Sequence, residues 1–378
     1  MAMTSEEREE YKKKNQKLTA YVLLQYFLKY TDERHPAQMQ DILTYLNEDC
    51  GICAERRLVY RGIKEINKIL YILDHEDEEL TIKDAEEALE DESERYIVSE
   101  SNRSGYYLCR RPNNIEPDDV RLLAECVYNA RFINEDKAEE LMEIVSGLVS
   151  QWDAEDIKHD AFVVDRVKTD NKTVLNNVST INYAMRRGTA ADPHTPEKIT
   201  FNYQKRSIDD VTQTIDRRKG AVYKVSPFRL LINEGNYYLL AFDDKSQEMR
   251  TYRVDRMRGV RAIGEPRDAE DEFRLIAKDF ENYTQRVFGM FGGKRVRVTL
   301  RFINPMLDTV IDRFGTKGLH YTKADDSHFT VDPEVEISDQ FFSWLCGFGK
   351  KVKVIGPEFV IEQYTRHLNS ITGLYKKR

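Results

Sequence analysis

Apolar residues near the amino end recur every three to four positions, the period of an amphipathic helix. From Lys17 to Tyr30, Leu18, Val22, Leu23, Tyr26 and Phe27 share one face. His35-Pro36 breaks the pattern, and Pro36 suits the first turn of a second helix that runs to about Asn47 with Met39, Ile42, Leu43 and Leu46 inside. After a turn at Gly51, Val59, Gly62, Ile63, Ile66, Ile69, Leu70 and Leu73 form the stripe of a third helix from Ala54 to about Leu73. Arg57, Arg61, Lys64 and Lys68 follow at spacings of four, three and four, which sets them together on the opposite face. The period then changes to two. Tyr96–Ser99 and Tyr106–Arg111 flank the polar turn Ser101-Asn102-Arg103-Ser104-Gly105 and predict a β-hairpin.

Three short helices followed by such a hairpin match a winged helix-turn-helix, in which the third helix enters the major groove. Arg57, Arg61, Lys64 and Lys68 are then the positioning contacts to duplex DNA, and Arg103 at the wing tip reaches a minor groove or a phosphate. The alternative for the basic stripe is an ordinary solvated helix face. The acidic runs Asp74–Glu79 and Asp84–Glu94 would repel phosphate, so a DNA-binding reading expects them to point away from the basic face.

Glu116–Gln151 is helical in pattern, and Lys172–Arg187 is a further amphipathic helix. Ile199–Tyr203 begins a strand-rich region, in which Ala221–Leu240 reads as a hairpin turning at Asn233-Glu234-Gly235. A second turn at Asp243-Asp244-Lys245 leads to a strand from Arg250 to Met257, and Gly264-Glu265-Pro266 ends the region. After a charged connector, strands at Arg295–Phe302, Leu319–Lys323, His328–Glu336 and Lys351–Ile355 alternate with helices opened by Asn304-Pro305, Ser338 and Pro357. The last helix carries Val360, Ile361, Tyr364, Leu368, Ile371 and Leu374. This βαββαβα order predicts a ferredoxin-like α+β module.

The strand from Arg250 carries Arg250, Arg253 and Arg256 with Tyr252 among them. Guanidinium forks bind phosphate and stack on bases, so one reading is a surface for a polyanion or nucleotide. The other is a solvated face whose cations guard a sheet edge. If the strand is regular, Arg250, Tyr252, Val254 and Arg256 share a face and Arg253 points the other way.

Ser226-Pro227-Phe228, Tyr237-Tyr238-Leu239 and Arg250-Thr-Tyr-Arg-Val-Asp-Arg-Met257, in that order, resemble the signature of the WYL domain. Tyr237 stands where that family has the tryptophan of its name. The resemblance implies a small Sm-like β-barrel of bacterial transcription regulators that binds nucleic acid or a nucleotide-like effector. It also implies a helical linker before the barrel and a C-terminal extension used in dimerisation. Carried over residue by residue, the effector site comprises Tyr203, Ser226, Tyr238, Arg250, Tyr252 and Arg256.

At 378 residues, with 40% hydrophobic and 33% charged, the chain is expected to form a multidomain α+β protein. The expected divisions are a winged helix at 1–114, a helical linker at 115–190 and a WYL barrel at 191–268. A connector at 269–293 and the ferredoxin-like extension at 294–378 follow. Net charge is −8, which argues against nonspecific coating of nucleic acid and leaves room for a local basic face. Neither a signal-peptide core nor a membrane-length apolar run is evident, so a cytoplasmic protein is expected.

The five cysteines are scattered, and Cys50-Gly-Ile-Cys53 lacks the second pair that a zinc site needs. The seven histidines show no metal-ligand spacing, and no phosphate-cradling glycine loop or nucleophile elbow is found. No enzymatic activity, metal or cofactor is expected. The expected partners are a double-stranded DNA operator, a single-stranded nucleic acid or nucleotide effector, and a second copy of the chain. The alternative is a non-enzymatic accessory protein of a phage-defence or CRISPR system that binds RNA or single-stranded DNA.

Overall fold

The computed structural model describes residues 15–76, 78–99, 104–160, 168–188, 193–277, 286–289 and 293–375. It resolves into two units, Met1–Asp170 and Asn171–Arg378. The first is built on α1 (Thr19–Tyr30), α2 (Met39–Thr44) and α3 (Arg56–Asp74). Leu23, Phe27, Ile42, Leu46, Val59, Ile63, Ile66 and Leu70 form its core. Gly62 lets α1 and α3 approach closely, since a Cβ there would stand 2.6 Å from Leu23 Cδ1. Helix α3 starts two residues later than the pattern predicts, because Asn47 Oδ1 accepts the Ala54 N–H and holds that residue in the preceding turn. Ile69 and Leu73, expected inside, are about half exposed, as is Leu18.

A short helix α4 (Ile82–Ala88) precedes the strands β1 (Ile97–Val98) and β2 (Tyr107–Leu108), which pair antiparallel. Ala37 and Tyr106 exchange backbone hydrogen bonds of 2.8 Å beside them. Gly105 permits that approach: its φ is +85°, and a Cβ would meet the Ala37 oxygen at 2.7 Å. Buried Asn67 of α3 fastens the ladder. Its Oδ1 accepts from Tyr96 N at 2.9 Å and Ile97 N at 2.8 Å, and its Nδ2 donates to Ile97 O at 3.2 Å.

The helical segment becomes α5 (Pro117–Asn129), α6 (Glu135–Ser146) and α7 (Gln151–Asp160) around Val120, Ala124, Met142, Val149, Ala154 and Ile157. These helices are tied to the first three. Arg111 donates to Leu28 O at 2.8 Å and Leu148 O at 3.2 Å, Ser150 Oγ donates to Asp32 Oδ2 at 2.6 Å, and His35 stacks on Trp152. The expected linker 115–190 is therefore divided. Its first three helices belong to the first unit, whereas α8 (Val174–Met185) packs on strands of the second.

The second unit begins with β3 (Glu197–Arg206), β4 (Thr214–Asp216), β5 (Tyr223–Asn233), β6 (Asn236–Asp243), β7 (Glu248–Arg253) and β8 (Met257–Pro266). The sheet order is β4-β3-β5-β6-β7, and β8 returns to pair with β3, which curls the sheet on itself. The β5–β6 turn has both Glu234 and Gly235 at positive φ, the geometry that matches strand twist in tight hairpins. The expected continuous strand 250–257 does not exist. Strand β7 ends at Arg253, Val254–Arg256 forms a 3-10 turn, and β8 starts at Met257 so that the chain can reach β3.

Helix α9 (Glu270–Ala277) lies in the connector, where Phe273 stacks on Phe228 at 4.5 Å. Next come β9 (Lys294–Arg297), β10 (Thr299–Ile303), α10 (Leu307–Phe314), β11 (Tyr321–Lys323), β12 (His328–Val331), β13 (Glu334–Ile337), α11 (Asp339–Gly347), β14 (Val352–Gly356) and α12 (Glu358–Tyr375). One antiparallel sheet has the order β11-β12-β10-β14, and β9 pairs with β13 in a second ladder. Two expected strands are thus each split, at Val298 and at Pro333, where Val298 N donates to Pro333 O. Leu300, Phe302, Phe329, Val331, Phe341, Leu345 and Val354 fill the core. Of the apolar residues named on the last helix, α12, only Val360 is fully covered, and Leu368, Ile371 and Leu374 are exposed.

Among the described residues no helix is long and apolar enough to cross a membrane. No group of histidine, cysteine and carboxylate side chains there could hold a metal ion.

Candidate nucleic-acid interface

Alternation along β3 turns Phe201 and Tyr203 to one side of the curled sheet, where they meet Tyr223 of β5 and Tyr252 of β7. Phe201 stacks on Tyr223 at 5.4 Å, and Tyr252 stands edge-on to Phe201, Tyr203 and Tyr223 at 5.5–5.9 Å. Edge-to-face contacts of this kind add to the burial of the rings and make the cluster stiff. Its polar handles are also engaged. Tyr203 Oη accepts the Arg253 N–H at 3.1 Å, and Tyr252 Oη donates to Asp243 Oδ2 at 2.5 Å.

Asp243 is almost wholly buried (1% of its side chain exposed) and also takes the Lys245 and Ser246 N–H groups and the Arg218 guanidinium. Burial alone would push its carboxyl up. The Tyr252 hydroxyl, the two N–H donors and Arg218 together hold it below the usual carboxylate value. Burial and the Asp243 carboxylate push the Tyr252 phenol well up, so the hydroxyl stays protonated as the donor.

Above these rings opens a cavity of about 1080 Å³, larger than the ~300–1,000 Å³ typical of drug-sized ligand pockets. Its lining has seven arginines, Arg217, Arg218, Arg250, Arg253, Arg256, Arg286 and Arg295, against two glutamates, Glu248 and Glu336. The arginines come from four places: the loop before β5, β7 with its 3-10 turn, the connector and β9. Arg218 lies 4.1 Å from the Tyr223 ring centroid and Arg217 lies 5.7 Å from that of Tyr203. Arg253 forks onto Asp255 at 3.0 and 2.8 Å and donates to Asn236 Oδ1 at 2.7 Å. Arg250 meets Glu248 at 3.2 Å, and Arg295 Nε donates to Glu334 at 2.9 Å. Burial raises the Glu336 carboxyl above its ordinary value, against the opposing pull of the Gly293 N–H and of Arg286 and Arg295. A concave arginine surface over tyrosine rings suits an anion that carries flat groups.

The residues inferred for the effector site meet here with one exception. Tyr203, Tyr238, Arg250, Tyr252 and Arg256 all line the cavity. Ser226 does not: it is fully buried and its Oγ accepts the Asp268 N–H at 2.9 Å, pinning the chain just after β8. Arg253, expected to face away, lines the cavity as well, because the strand ends there and the 3-10 turn replaces the assumed alternation. Tyr237 is absent from the lining and sits opposite Ile232, so the change from tryptophan falls outside the cavity.

Sequence reasoning missed Arg217, Arg218, Arg286 and Arg295. The run Arg217-Arg218-Lys219-Gly220 carries a usable signal, a basic turn closed by glycine. Arg286 and Arg295 carry none, since only the fold brings them beside β7.

On α3, Arg57, Arg61 and Lys64 are exposed, with Glu65 at 3.9 Å from Arg61. Lys68 is different. It meets Glu86 of α4 at 2.8 Å, and Lys68 followed by the nearby Lys64 holds that carboxyl below its usual value. Lys64 and Lys68 line a groove of about 940 Å³ together with Glu86, Glu90, Glu92 and Arg95, and Arg95 pairs with Glu92 at 2.6 Å. The acidic segment therefore does not point away from the basic face but covers its end. Arg103 lies outside the described residues.

Comparison with known proteins gives one family match: the model described as WYL domain covers residues 194–262. Among solved structures, the proteasome accessory factor B/C of Arthrobacter aurescens aligns over 96% of this chain and 49% of its own, at 12% identity and a TM-score of 0.25. This chain thus spans about half the length of that protein. A protein described as CRISPR Cas-related aligns over 88% of this chain and 82% of its own, at 13% identity and a TM-score of 0.34. Neither TM-score is high enough to establish a shared fold. No curated protein matches the chain. The matched residues span β3 to β8, with the tyrosine floor and five of the seven lining arginines, and on this match the chain carries a WYL domain.

Proposed function

We propose that this chain is a DNA-binding transcription regulator whose WYL domain senses a nucleic-acid or nucleotide-like anion, without catalysis. The observation that carries this reading is the cavity itself, seven arginines and two glutamates over a tyrosine floor. The arrangement suits phosphate forks and base stacking, and not an apolar effector. In this reading the first unit is a winged helix. Asn67 binds its hairpin to α3, and Arg57, Arg61 and Lys64 make the positioning contacts. The curled sheet is an Sm-like barrel, and the strand order β11-β12-β10-β14 supports a ferredoxin-like extension.

The protein works in the cytoplasm as a homodimer. The exposed Leu368, Ile371 and Leu374 of α12 supply apolar surface for a second copy. Paired recognition helices would then stand about 34 Å apart, one turn of duplex. Replacing Arg250 and Arg256 with alanine is expected to abolish binding of a labelled single-stranded oligonucleotide while operator affinity stays within a few fold. Equal loss of both would count against separate sites.

One observation favours a second reading. Lys68 is already neutralised by Glu86, which shortens the basic face available to duplex DNA. An accessory protein of a phage-defence or CRISPR system would bind RNA or single-stranded DNA at the cavity and use the first unit for protein contacts. Capture of duplex fragments from the source genome separates the two. One enriched palindromic site supports the regulator, and no enrichment beside tight oligonucleotide binding supports the accessory protein.

A further inference from the structure

The cavity's arginines differ in what already neutralises them. Arg218 meets Asp243, Arg250 meets Glu248 and Arg253 meets Asp255. Arg217 and Arg256 are exposed, and neither has a carboxylate within ion-pair distance among the described residues. A guanidinium held by a carboxylate gives up part of that interaction when a phosphate arrives, so the unpaired forks gain most.

Arg217 owes its place to an unusual backbone. Arg218 and Lys219 both adopt left-handed conformations, at φ 52° and 56°, and Gly220 follows at 84°. Residues with a Cβ avoid this region unless their surroundings hold them there. Arg218 supplies the hold: its guanidinium lies over Tyr223 at 4.1 Å and pairs with the buried Asp243 at 3.3 Å. With Arg218 pinned, the preceding residue is carried over Tyr203, in the same cavity that Arg256 of the 3-10 turn lines.

We propose that Arg217 contacts a phosphate of the ligand in this cavity, and that Arg218 is the positioning residue that presents it. This rests on reading the cavity as a site for a phosphate-bearing ligand. The test is fluorescence anisotropy of a labelled oligothymidylate with the full-length chain across a salt series. Arg217→Ala should weaken binding about tenfold. It should also flatten the plot of log affinity against log salt by about 0.7, the share of one phosphate contact on a single strand. Since Arg217 is exposed, its melting curve should match that of the wild type.

Arg218→Met keeps apolar packing on Tyr223 and should produce the same loss of slope. The double variant should be no weaker than either single one to within about twofold, as for residues acting through one contact. An unchanged slope in Arg217→Ala, with binding still lost in the Arg250→Ala Arg256→Ala protein, overturns the inference and leaves the anion reading standing. A further fall of about 0.7 in the double variant would make Arg218 a contact in its own right and overturn its positioning role. Failure of the wild-type protein to bind the oligonucleotide overturns the anion reading and this inference with it.

Discussion

Asn67 shows how much one buried amide can do. Three hydrogen bonds from its side chain satisfy backbone groups of Tyr96 and Ile97 that the two-residue ladder cannot reach. Asn67→Ala strands two buried N–H groups and one carbonyl, and should cost the first unit about 2–5 kcal/mol, read as a lower urea midpoint. A midpoint within error of the wild type would mean that water replaces the amide there.

Asp243 makes a parallel case with a charge. Its folded pKa lies below the ordinary value, so its contribution to stability is complete above about 4 and fades as pH falls through the folded pKa. Tyr252→Phe removes its strongest donor and should destabilise the second unit at pH 7 by about 1.5–3 kcal/mol. The gap between variant and wild type should narrow below pH ~4, because a protonated carboxyl loses the charge-assisted part of the bond. A gap that stays constant from pH 7 to 3 would refute this account.

At the level of elements, α3 and α4 compete for the same charges. The basic stripe on α3 was legible from spacing alone, but its fourth member is taken by Glu86, eighteen residues further on. Arg61→Ala with Lys64→Ala should lower affinity for duplex DNA and flatten its salt dependence by about 0.9 for each lost phosphate contact. Lys68→Ala should change little. Glu86→Gln should strengthen duplex binding more than Glu87→Gln does, because only Glu86 touches α3 while Glu87 pairs with Lys83 on its own helix. Equal effects of the two glutamine variants on a filter-binding curve would show that only net charge matters. The strand at 250–257 failed as an element for a related reason: pairing of Met257 with Tyr203 requires the chain to turn first.

For the molecule as a whole, two units divide the proposed labour. All lining residues of the cavity fall in the second. If the regulator reading holds, the coupling between the units must be reciprocal. A saturating oligonucleotide that changes operator affinity by some factor should have its own affinity changed by the same factor when operator DNA is present. Titrations in both directions by anisotropy measure this, and unequal factors at equilibrium would rule out a simple two-site linkage.

The amino-acid sequence by itself determined the local elements: three amphipathic helices, the hairpin at Glu234-Gly235, the alternation of β3 and the arginine-aromatic motif near Tyr252. These are set by near neighbours, through periodicity and turn chemistry that act within a few residues. The tertiary structure alone decided which of those residues form a site. It removed Ser226, returned Arg253, and brought Arg217, Arg286 and Arg295 to the same cavity. It also laid an acidic helix on Lys68, split the helical linker between two units and broke two long strands at Val298 and Pro333. Each of these outcomes depends on which distant backbone groups and charges become neighbours when the sheets close. Side-chain pattern along one segment carries no information about that.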